Sequence, residues 1–115
     1  MERNELLDKF FELKCKQMLC KLWLMAFAKP GYVNDEMGLC MKHMEVQSKL
    51  EDLEDEMMKF LVTNREELLN KYSKEDLDAY CQEYKISLER QKELAKEVLG
   101  KEWTVEELLE RVDQR

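Results

Sequence analysis

One proline and three glycines are all the helix breakers in 115 residues, and Pro30 and Gly31 stand side by side. A chain with so few places to turn is restricted to long elements, and apolar periodicity decides their type. Apolar residues recur here at steps of three and four, so the elements are predicted to be helices. The first is predicted over residues 3–28: Leu6, Phe10, Leu13, Cys20, Leu24 and Phe27 follow one line, and Leu7, Phe11, Met18, Leu22 and Met25 the adjacent one. Lys29-Pro30-Gly31 is predicted to stop it, because proline disfavours helical geometry in the residue before it.

A second helix is predicted from an Asn34 or Asp35 cap to about residue 62. Its expected inner face is Cys40, His43, Met44, Gln47, Leu50, Leu53, Met57, Phe60 and Leu61, with Glu54 between Leu50 and Met57 on that stripe. Two long helices joined by a short loop form an antiparallel hairpin. Three capping boxes divide the rest of the chain: Thr63 with Glu66 is predicted to open a short helix, Ser73 with Asp76 a third long helix running to Gly100, and Thr104 with Glu107 a short last one. The predicted fold is an all-α bundle, a long-helix hairpin plus a third long helix and short helices, forming one helical domain over residues 1–115. A domain of this size buries roughly two thirds of its unfolded surface, so one modest core is expected.

Charge excludes several functions. Charged residues make up 39% of the chain, well above the usual quarter, and the net charge is −7. Direct binding to nucleic acid or to an anionic membrane needs clustered lysine and arginine, so neither is expected, whereas a basic protein partner is permitted. The most apolar stretch, MLCKLWLMAFA, is too short and too closely flanked by lysines to span a bilayer, which takes about 20 apolar residues. Charges interleaved through MERNELLDKF do not read as a secretion signal, so Cys15, Cys20, Cys40 and Cys81 are expected as free thiols in the cytoplasm.

Three constellations carry possible chemistry. Cys15, Cys20, Cys40 and His43 have the residue types of a zinc site. Five residues on a helix rotate about 500°, however, so Cys15 and Cys20 point roughly 140° apart, and only Cys20, Cys40 and His43 can meet across the hairpin. Cys40 and His43 lack an orienting acid for nucleophilic catalysis. Glu51-x2-Glu54, followed after twenty residues by Glu75-x2-Asp78, resembles the ExxE and ExxD pattern of the all-α MazG-like nucleotide pyrophosphohydrolases. That resemblance implies Mg²⁺ held by Glu51, Glu54, Glu75 and Asp78 for attack on a nucleoside triphosphate. No basic cluster accompanies it to hold the triphosphate.

Methionine is the remaining anomaly, with eight in the chain. It suits adaptable contact surfaces, and the first helix is apolar all round, which requires that it be surrounded. Met18, Leu22, Trp23, Met25, Phe27, Met37, Met41 and Met58 are therefore the expected partner-binding residues, with Trp23 and Trp103 as candidate anchors. The alternative for Trp103 is that it fixes the last helix to the bundle. The expected function is non-enzymatic and needs no cofactor: an acidic regulator or inhibitor that binds a protein partner, or a second copy of itself, through an apolar helical surface. In composition the chain resembles the compact acidic helical inhibitors of phages and mobile elements, including anti-CRISPR proteins. A structural subunit of a helical homo-oligomer is the further alternative.

Overall fold

The computed structural model describes residues 4–27 and 37–114, with side chains in the second segment described from residue 41 onward. The expected stop at Lys29-Pro30-Gly31, the cap at Asn34 or Asp35, and the side chains of Met37 and Cys40 lie outside the described residues. The described residues form five helices and no strand: α1 (Glu5–Phe27), α2 (Met37–Thr63), α3 (Lys74–Tyr84), α4 (Leu88–Leu99) and α5 (Val105–Asp113).

α1 and α2 run antiparallel, as three cross-contacts at successive heights establish. Lys9 lies over the Phe60 ring, Gln17 donates to the Leu53 carbonyl, and Trp23 packs beside His43. Asn4 starts α1 by accepting from the amides of Leu6 and Leu7, an N-cap that satisfies donors the helix itself leaves open. From Leu7 to Ala26 the buried side chains of α1 point in nearly every direction around its axis: Leu7, Phe11, Leu13, Leu19, Cys20 and Trp23 all lie in the core. The surrounding that an all-round apolar helix requires comes from this chain's own α2, α4 and α5. Tyr80 of α3 closes the N-terminal end by stacking on Phe11 and hydrogen-bonding Asn4 and Asp8.

The third long helix is a correction. Residues 74–99 are two helices, broken where Lys85 turns to a φ of +34° and Ser87 caps α4 by accepting from the Arg90 amide. Ser73 and Asp76 form the expected reciprocal capping box, Gly100 ends α4 at a φ of +78°, and Thr104 caps α5. The short helix expected after Thr63 is absent. α2 continues through Thr63, and residues 64–71 form hydrogen-bonded turns that begin with the Asn64 side chain donating to the Phe60 carbonyl. No described helix is long and apolar enough to cross a membrane.

Candidate protein-docking surface

Burial removes two of the expected contact residues from the surface. Leu22 and Trp23 are packed inside the chain, Trp23 against Phe27 at 4.7 Å between ring centroids and beside His43. Phe27 is half-buried, with the edge of Trp103 on it and the Arg111 guanidinium over its ring. Trp103 thereby joins α5 to the end of α1, the fixing role rather than the anchor role. Met18 and Met25 remain half-exposed. From residue 14 onward the exposed positions of α1 are Lys14, Met18, Lys21 and Met25, one strip in which charge and apolar side chains alternate.

The other expected residues fall on α2, whose inner face differs from the predicted one. Val46, Leu50, Leu53, Met57 and Phe60 face α1, while Met44, Gln47 and Glu54, expected inside, are exposed. The outward side therefore carries more apolar surface than the sequence pattern suggests. Met44 and Met58 are each 67% exposed, Met41 63% and Val62 60%, and these are the four most exposed large apolar side chains among the described residues. They share one line. The steps along 41, 44, 48, 51, 55, 58 and 62 are alternately three and four residues, the spacing that keeps a seam facing a second helix. Ser48, Glu51 and Asp55 occupy its centre and are exposed. The stripe is about 31 Å long at 1.5 Å per residue.

Beside its C-terminal end lies an apolar depression of about 310 Å³, lined by Gln17, Glu54, Met57, Met58, Leu61 and Val62. A second one, about 370 Å³, lies against the α3–α4 break, with Phe11, Met18, Tyr84 and Ile86 among its walls. Sequence reasoning missed Met44 and Val62; their signal was the three-four spacing with Met41 and Met58, obscured by the inner stripe that runs beside it.

The carboxylates of the pyrophosphohydrolase pattern are not brought together. Glu54 lines the depression beside Met58, Asp78 lines the one beside Met18, and Glu51 and Glu75 are exposed on α2 and the first turn of α3. Cys20 is fully buried, and His43 packs on Trp23. Among the described residues no group of three or more histidine, cysteine, aspartate or glutamate side chains is placed to hold a metal ion. The chain matches no protein-family model, no curated protein and no solved structure.

Elsewhere the polar surface does structural work. Arg90 grips Glu12 through two hydrogen bonds of 2.7 and 2.8 Å, joining α4 to α1, and this holds the Glu12 carboxyl below its usual range. Lys16 pairs with Glu97 at 3.0 Å between the same two helices. Burial pushes the thiols of Cys15 and Cys20 up to about 11.

Proposed function

We propose that this chain is a non-enzymatic protein-binding regulator whose docking surface is the outer stripe of α2, and that it acts by occupying a surface of its partner. The carrying observation is that its four most exposed large apolar side chains, Met41, Met44, Met58 and Val62, lie on one helical line. Scattered exposed apolar residues need no explanation, but an aligned set at seam spacing does. Three of the four are methionines, which adapt to an irregular partner surface at small cost in strain. The depression beside Met58 and Val62 offers a socket for one inserted side chain, the arrangement of an interface anchor. We place this activity in a reducing cytoplasm, in keeping with the free thiols of Cys15, Cys20 and Cys81.

Affinity capture from the native host with quantitative mass spectrometry tests the reading. The wild-type chain is expected to enrich a protein that the Met44→Glu/Met58→Glu variant loses, while Glu106→Lys on α5 retains it. Both methionines are exposed, so circular dichroism of the double variant should match the wild type. Recovery of the same proteins by wild type and double variant would remove the stripe as the docking surface.

A further inference from the structure

The centre of the stripe identifies its occupant. Between the apolar pairs Met41–Met44 and Met58–Val62 the line passes through Ser48, Glu51 and Asp55, and Asp52, Glu54 and Glu56 are exposed around them. Five of the six residues 51–56 are acidic, with only Leu53 turned inward.

A second copy fits this pattern poorly. Laid antiparallel, it brings Met41 against Val62 and Met44 against Met58, which is favourable. The same register sets Glu51 against Glu51 at the centre of the seam, and like charges directly opposed across a seam are unfavourable. A parallel copy opposes every acid to itself. The anionic surface of a membrane meets the same repulsion.

We propose that the occupant is an amphipathic helix of another protein, with apolar side chains at its two ends and lysine or arginine at its middle. Its length is about 22 residues, set by the stripe from residue 41 to residue 62. Its apolar ends lie on Met41–Met44 and on Met58–Val62, and its basic middle lies over Glu51 and Asp55. The methionines then supply affinity, and the acids supply choice of partner and rate of encounter. The net charge of −7 draws such a helix in. This inference rests on the stripe being the docking surface and adds the chemistry of what docks there.

Three synthetic helix-stabilised peptides test it, identical in their leucine ends and carrying lysine, glutamine or glutamate at the positions that face Ser48, Glu51 and Asp55. By fluorescence anisotropy the lysine-centred peptide is expected to bind roughly tenfold tighter than the glutamine-centred one, with the glutamate-centred one weakest and the spread narrowing in high salt. The variant Glu51→Lys/Asp55→Lys is expected to reverse the order, and Met44→Glu/Met58→Glu to weaken all three. Equal binding of the three, or an unreversed order in the charge-swapped variant, overturns the basic-centre inference and leaves the docking surface standing. Failure of all three to bind overturns the inference as well, and host capture then decides the docking surface by itself. A wild-type dimer at neutral pH that Met44→Glu/Met58→Glu abolishes also overturns it, because the stripe is then filled by a second copy.

Discussion

Cys15, Cys20 and Cys81 have the same thiol group in three different environments. Cys81 is exposed on α3, Cys15 is partly covered, and Cys20 has no accessible surface. Reactivity requires the thiolate, which burial disfavours, so alkylation mapped by mass spectrometry in a Cys40→Ser background should modify Cys81 first, Cys15 slowly, and Cys20 only on unfolding. The same raised values couple folding to pH. The unfolded thiols ionise near 9, whereas the folded Cys15 and Cys20 hold their protons to about 11. The folded state therefore binds more protons across that window, and the contribution is full below about 9 and lost as pH rises to about 11. Urea titrations at a series of alkaline pH values should show this decline, made shallower by Cys20→Ala once its constant cavity cost is subtracted.

Glu12 couples to pH in the opposite sense. Hydrogen bonds from Arg90 hold its carboxyl below the ordinary value, so this contribution is present above about 4.5 and lost as pH falls through the lower folded value. Arg90 is 41% exposed, so the solvent-screened pair is worth about 1 kcal/mol at neutral pH. Glu12→Gln should cost that much in a chemical melt at neutral pH, with the difference from wild type vanishing in acid.

Elements were legible in the sequence wherever a cap and a periodic stripe agreed. Ser73 and Thr104 opened helices as expected, and Gly100 closed one. Two boundaries were not legible, for different reasons. Thr63 and Glu66 have the residue types of a capping box, yet the apolar run through Phe60 and Leu61 keeps Thr63 inside the last turn of α2, so core packing overrides local capping. The break after Tyr84 has no glycine or proline to announce it. Lys85 takes a positive φ, where a side chain is strained, and its amide still donates to the Cys81 carbonyl at 3.3 Å. Removing that side chain should help and fixing φ should harm. Lys85→Gly is expected to stabilise the chain by about 0.5 kcal/mol or more, since relief of the strain exceeds glycine's entropy cost. Lys85→Pro removes the amide donor and cannot adopt this φ, so it should destabilise by about 2 kcal/mol or more. Differential scanning calorimetry of both variants reads the two signs directly.

At the scale of the whole molecule, α1 is the central helix and α2 lies on its outside. The sequence places the greasiest stretch on α1, which drew the expected contact surface toward Leu22 and Trp23. Burial sends those residues inward and leaves the unmatched apolar side chains on α2, a distribution that no single helix's periodicity reveals. The acidic centre of α2 is then expected to decide the state of association. Its stripe has the spacing of a coiled-coil seam but is interrupted at the two charged positions where self-pairing would have to close. The wild-type chain is accordingly expected to be a monomer at neutral pH. Glu51→Leu/Asp55→Leu completes the seam and replaces the four carboxylates of a two-copy interface, the two of Glu51 directly opposed, with four leucines. Burial of each leucine is worth about 1.5–3 kcal/mol, so the four together outweigh the lower estimates of the cost of association. Sedimentation equilibrium should find the wild type monomeric and the double leucine variant dimeric at micromolar concentration. Adding Met44→Glu to the leucine variant should return it to monomer. A leucine variant that stays monomeric would mean that α2's outer face cannot receive a helix along its length, whatever charge that helix carries.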